Sequence, residues 1–275
     1  MSCELRENVT WSIDKNKINS ILCNPKKGLL YSKVEHAGEI FFNNYNCKND
    51  ICDKELTKLT IHNGNSDSVL TPLSVINFHT HPLSCYIEGH TVWGWPSGED
   101  LKECINFAQK GNLTHIIFAV EGTYIIDVNK KLLEILKNEK MKKSIEKLFQ
   151  YTHKYRMYYN EEPYVLEDEF NTLYLKPLGL KMKDNMLLSW LHLVNNLDLS
   201  MLNKLLTKFK INKSKLNNNN NNKSKIYNIT FIPNKTVQWS KLSKEQIFEK
   251  LNKTSIILPK KIIYSAPFIS KDCKL

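Results

Sequence analysis

Phe78-His79-Thr80-His81-Pro82, followed after a gap by Trp95-Pro96-Ser97-Gly98-Glu99-Asp100, sets the chemistry of the N-terminal half of this chain. Side chains on a strand alternate faces, so His79 and His81 point one way and Thr80 the other, and two imidazoles one pleat apart can grip one ion. Pro82 ends the strand. A His-x-His pair alone is weak evidence, because paired surface histidines are common. Ser97-x-x-Asp100 reads first as a capping box, with Ser97 as N-cap and Asp100 at N3 of a helix that begins at Gly98. Both roles are compatible. A carboxylate in a first helical turn projects from the helix start, and beside the strand end Asp100 becomes a third ligand. Two imidazoles and one carboxylate with an open fourth position are the donor set of a catalytic zinc.

Outward from this stretch, the spacing predicts a helix over 14–23 capped by Asp14, and strands over 38–42, 56–62 and 73–80. A helix follows over 98–109 and stops at Gly111. The β-rich runs 114–120 and 123–128 predict a hairpin across Glu121 and Gly122. Apolar residues from Leu132 to Phe149 recur at helical spacing over 130–159, with lysines on the other face, and further helices fall within 185–209. The tract Asn217 to Asn222, flanked by lysines, cannot bury enough apolar surface to fold and reads as a linker. Beyond it, 226–232 and 262–269 read as strands and 243–251 as a capped helix. The resulting organisation is a domain over 1–130, a helical extension over 131–211, a linker over 212–225 and a C-terminal segment over 226–275.

Composition narrows the function classes. The 275 residues include 41% hydrophobic and 24% charged residues, which excludes a disordered or fibrous chain. No apolar run reaches the roughly 20 residues a spanning helix needs, and the N-terminus lacks the basic and apolar regions of a secretory signal. Seven scattered cysteines are a poor disulfide framework, so free thiols and a reducing compartment, cytoplasmic or nuclear, are expected. The net charge of +11 is unevenly spread: residues 1–129 carry 11 basic against 15 acidic residues, and the excess lies entirely beyond them. It is almost all lysine, Arg6 and Arg156 being the only arginines. Abundant Lys, Asn and Ile match an AT-rich genome, that of a eukaryote or of a large virus infecting one. Such drift makes a solvated lysine surface without the arginines that specific readout prefers, so nucleic acid is not indicated as a partner.

Upstream, Glu35-His36-Ala37-Gly38 precedes a strand, giving Glu-x-x-Gly, then His-Thr-His-Pro, then Ser-x-x-Asp. In this order the sequence resembles the JAMM (MPN-plus, JAB-domain) zinc metallopeptidases, over roughly residues 30–128. The resemblance implies an α/β fold of MPN type, a mixed, mostly antiparallel sheet flanked by helices. It implies Zn2+ held by His79, His81 and Asp100, Glu35 as general base on the bound water, and Ser97 as the hydroxyl supporting the oxyanion. The implied activity is hydrolysis of an isopeptide or peptide bond, removing ubiquitin or a ubiquitin-like modifier.

Two features depart from that pattern. Fifteen residues, Pro82 to Pro96, separate the second histidine from Ser97, where the family has about seven; the excess predicts a loop beside the metal, either an aromatic lid or a self-packed surface loop. Glu39, four residues after Glu35, offers a rival base. Cys47, Cys52, Cys85 and His90 could hold a second zinc, although their spacing favours free thiols, and His62, His115, His153 and His192 read as ordinary residues. The rival functions are a non-catalytic MPN scaffold, which typically loses the five-residue set, a nucleic-acid-binding protein driven by the basic half, whose binding would depend steeply on salt, and a JAMM hydrolase of a non-ubiquitin amide.

Overall fold

The structure is a computed structural model that describes residues 5–42, 47–48, 51–66, 68–88, 93–129, 133, 137–139, 142–143, 170–208, 225–234, 249 and 255–269. Most of the stretches expected as helices over 130–159 and 243–251, the tract expected as a linker, His90 and His153 lie outside the described residues, as do the side chains of Cys47 and Cys52.

Among the described residues ten strands form one mixed sheet: β1 (Leu5–Asp14), β2 (His36–Phe42), β3 (Cys47–Lys48), β4 (Ile51–Leu59), β5 (His62–Asn63), β6 (Ile76–His81), β7 (Thr114–Ala119), β8 (Gly122–Val128), β9 (Tyr227–Pro233) and β10 (Lys261–Ile269). The order is β10-β1-β4-β2-β6-β7-β8-β9, with β3 against β4 and β5 against β2. Among the described strands, only the β1–β4 and β6–β7 pairs are parallel. The expected α/β class with a mixed, mostly antiparallel sheet flanked by helices is therefore present. Helix α1 (Lys15–Leu22) follows β1, its Asp14 cap accepting from the Asn16 N–H. Helix α2 (Leu83–Glu88) lies in the expected loop, and α3 (Gly98–Gln109) provides the crossover that parallel strands require.

Three expectations shift. β1 was not anticipated, although Val9, Trp11 and Ile13 alternate with polar residues; Trp11 and Ile13 are buried. The strand expected over 56–62 divides into β4 and β5, and the hairpin loop is Val120–Glu121 rather than Glu121–Gly122. Residues 226–269 supply β9, paired with β8, and β10, paired with β1, at opposite ends of the sheet order.

Two cores sandwich the central strands. Ile117, Ala119, Tyr124 and Ile126 enter one cluster with Leu101, Cys104 and Ile105 of α3 and with Trp190 and Leu193 of the Met186–Asn196 helix. Their alternate neighbours Ile116, Phe118, Val120 and Ile125 enter the other, with Trp11, Ile18 and Phe78. Each fully buried side chain of this size contributes about 1.5–3 kcal/mol of transfer free energy, so the central strands are held from both faces. On β6 the same alternation sends Ile76 and Phe78 to the second core, leaving Asn77, His79 and His81 on the face of α3.

Asp127 is a buried carboxyl on β8 that accepts from the Thr114 hydroxyl at 2.8 Å. Burial raises its pKa from 3.8 to about 7, with the Thr114 bond opposing the rise. Between about pH 4 and 7 the native chain therefore binds a proton that the unfolded chain lacks, and stability falls as pH rises through this window, by at most about 1.4 kcal/mol per unit. Asp127→Asn keeps the acceptor and removes the titration. Its melting temperature should gain on wild type as pH rises from 5 to 8; parallel curves would contradict the assignment.

Candidate active site

The site is assembled where β6 ends against the start of α3. Ser97 caps α3: its Oγ accepts from the Asp100 N–H at 3.1 Å, and its own N–H donates to Asp100 Oδ2 at 2.6 Å. The capping box thus fixes the Asp100 carboxylate while aiming it at the strand. Asp100 Oδ1 lies 3.3 Å from His79 Nε2 and Oδ2 lies 3.6 Å from His81 Nε2. The two Nε2 atoms are 2.9 Å apart. One ligand atom from each residue falls within 4.8 Å of the others. The three expected ligands therefore meet.

Glu35 arrives by a different route. The His36 N–H donates to Thr80 Oγ1 at 3.0 Å, tying the start of β2 to the strand that carries the histidines. The Glu35 N–H donates to the Asn65 carbonyl, and its carbonyl accepts from the Gly64 N–H, both at 2.8 Å. Farther along β2, a Cβ on Gly38 would collide with the Thr60 carbonyl and the Phe78 ring, so the Glu-x-x-Gly spacing reflects a close approach of chains. Glu35 lines a cavity of about 520 Å³ together with His79, His81, Ser97 and Asp100. Glu39 does not line it; its carboxylate lies 3.4 Å from the Thr60 hydroxyl.

The loop across 82–96 contributes to this cavity. Trp93, Gly94 and Trp95 line it, and Trp95 stacks on Trp190 at 5.6 Å, which ties the loop to the first core. Val69, Leu70 and Phe107 add apolar wall. Glu35, Glu99, Asp100 and Glu103 line the cavity as well; Glu99 and Glu103 are ion-paired with Lys102, and no Lys or Arg is among the described lining residues.

Burial lowers the His79 pKa well below 6.5, with the Asp100 charge opposing and His81 and His115 adding to the fall. For His81 burial also opposes charge, but Asp100 and Glu35, the Gly94 carbonyl and Glu121 outweigh it and raise the pKa. Asp100 is lowered: burial works against it, and the two histidines and the Ser97 bonds prevail. His115, read from sequence as ordinary, is 2% exposed and in contact with His79, and burial lowers its pKa to about 4. Asn77, Asn112 and Glu121 also escaped the sequence reading. The available signal was the intrusion of polar Asn77 and His115 into strongly apolar strands. Cys23 and Cys104 are buried free thiols, and the Cys85 thiol donates to the Ser66 carbonyl at 3.3 Å.

Comparison with known proteins identifies a different family from the one the motif suggests. Residues 96–271, well over half the chain, match the haloacid dehalogenase-like hydrolase family. "Uncharacterized protein 3R" of Frog virus 3 (isolate Goorha) is 34% identical over 65 residues, covering 24% of this chain and 14% of that protein. No solved structure matches. The match to the hydrolase family overturns the JAMM/MPN assignment and, with it, the metalloprotease and deubiquitinase activities. The motif comprises a few residues in order, and such a short pattern can recur outside the family it resembles. The Zn2+ expectation is corrected as well, since hydrolases of the matched family typically use Mg2+. The matched segment contains Ser97 and Asp100 but begins after Glu35, His79 and His81.

The cluster does not fit magnesium. Mg2+ demands oxygen ligands in near-octahedral geometry, whereas two of the three converging atoms here are imidazole nitrogens. No magnesium-dependent step can be derived from these residues. Family membership rests on the longer match, which includes α3, β7, β8 and the strands that close the sheet: the chain belongs to the haloacid dehalogenase-like hydrolases.

Proposed function

We propose that the protein is a cation-dependent hydrolase whose centre is the His79–His81–Asp100 cluster, with phosphate esters as the substrate class to which its family points. The observation that carries this reading is the cluster itself, in which two imidazole nitrogens and a carboxylate converge inside a cavity. Nitrogen-rich donor sets favour first-row transition ions over magnesium. When bound, such an ion polarises the scissile group and acidifies water.

The chain's own residues have distinct tasks. Glu35 accepts a proton from the attacking water and passes it to the leaving oxygen, as general acid–base catalysis requires. Ser97 Oγ is already an acceptor at the helix cap, so its proton is available to the charge that develops on the substrate. Trp93 and Trp95 shield the reacting centre from bulk water. A phosphoryl group entering this cavity meets the Glu35 and Asp100 carboxylates with no Lys or Arg among the described lining residues, while Lys102 is engaged by Glu99 and Glu103, so a cation offsets the repulsion.

The test is hydrolysis of a panel of phosphomonoesters and phosphodiesters by the full chain with Mg2+, Mn2+, Co2+ or no added ion. Turnover should appear with Mn2+ or Co2+ and vanish with chelator. Turnover on Mg2+ that survives His81→Ala would move the centre elsewhere. Failure on every ester with every ion would remove phosphate esters as the substrate class.

A further inference from the structure

Behind the cluster lies a buried chain of hydrogen bonds whose direction is fixed at its far end. The Asn112 side-chain amide nitrogen sits among the Ser74, Val75 and Thr114 carbonyls, at 2.8, 3.3 and 3.1 Å, and so can only donate. It also lies 3.0 Å from Asn77 Oδ1. Asn77 Nδ2 donates to the Pro72 carbonyl at 2.8 Å, which leaves Oδ1 as the acceptor facing His115. His115 Nδ1, 2.8 Å from that oxygen, must therefore carry a proton. In a neutral imidazole the other nitrogen is then an acceptor. His115 Nε2 lies 2.7 Å from His79 Nδ1, so His79 donates there and its Nε2 lone pair points at Asp100 and His81.

The register of the sheet makes this possible. β6 and β7 run parallel with Asn77 opposite His115 and His79 opposite Ile117, which puts Asn77, His79 and His115 on one face. His81 reaches the same tautomer independently: its Nδ1 lies 2.7 Å from the Gly94 carbonyl, which can only accept. Gly94 is held in turn by its N–H to Glu121 Oε1 at 2.8 Å, and Glu121 also accepts from Tyr86 and Tyr124. With both Nδ1 atoms engaged as donors, the two Nε2 atoms and the Asp100 carboxylate converge on one point.

We propose that His115 is a positioning residue which, held by Asn77 and Asn112, locks His79 in the tautomer that presents Nε2 to a cation. The inference deepens the cation-dependent reading above and rests on it for its purpose, although not for the tautomer itself. Outer partners of metal-binding histidines fix ring orientation, and their loss typically costs about 10–100-fold in metal affinity.

The experiment uses full-length, 15N-histidine-labelled protein. Long-range 1H–15N spectra of the ion-free protein should find His79 and His115 each protonated at Nδ1 and bare at Nε2. Mn2+ titration followed by electron paramagnetic resonance should then give an affinity about 10–100-fold weaker for His115→Phe. His115→Gln, whose amide oxygen can accept from His79 while its NH2 donates to Asn77, should recover most of that loss. A protonated His79 Nε2 in wild type overturns the proposal, as does a folded His115→Phe that keeps wild-type Mn2+ affinity. Should His115→Phe not fold, the wild-type tautomers decide. Wild type with the stated tautomers but no Mn2+ binding would uphold the lock and remove the cation reading instead.

Discussion

Asp100→Asn is expected to leave α3 intact and to abolish tight binding of a divalent ion. Asparagine retains an oxygen that can accept the Ser97 N–H, and Ser97 still accepts from the backbone at position 100, so the capping box survives. Loss of an N-cap altogether typically costs about 1 kcal/mol, and the retained cap should keep the change in stability below that. The negative charge between His79 and His81, however, is gone. Removing a direct ligand should cost more than the roughly 10–100-fold that an outer partner costs. Calorimetric melting separates the two roles of the residue, and Co2+ absorbance reads the ion. If Co2+ binds the variant as it binds wild type, Asp100 is a helix cap and nothing more.

Glu35→Gln should retain the ion and lose turnover. The substitution keeps size and hydrogen-bonding capacity but cannot accept a proton, and general acid–base catalysis is typically worth ~10²–10⁴ in rate. The fall should appear in kcat on whichever ester proves to be a substrate, with Mn2+ affinity near that of wild type. Glu39→Gln is the natural comparison, because Glu39 lies outside the cavity. A Glu35→Gln enzyme turning over at the wild-type rate would remove the base assigned here.

Local signals in the sequence were strong wherever neighbours in the chain are neighbours in space. The capping box at Ser97 and Asp100 was legible because its two hydrogen bonds close within four residues. The same holds for the hairpin β7–β8, whose loop lies one residue from its expected place, and for α1 with its Asp14 cap. β1 escaped because its alternation is irregular near Arg6 and its partners, β4 and β10, are remote in sequence. The family assignment failed for a related reason: five residues in a familiar order carry little information beside a match spanning residues 96–271.

By itself the sequence determined the α/β class, the alternation that puts His79 and His81 on one face, and the helix start that projects Asp100. Those are properties of the 2.0 and 3.6 residue periods and of capping chemistry, all local. Tertiary structure alone decided that the strand end and the helix start converge, that Glu35 and not Glu39 reaches the cavity, and that His115 stands behind His79. These depend on the parallel register of β6 with β7 and on the Thr80 bond to the start of β2, contacts across 36 and 44 residues. A one-residue slip in register would turn His115 to the other face, and no local preference fixes a register; the two packed cores do.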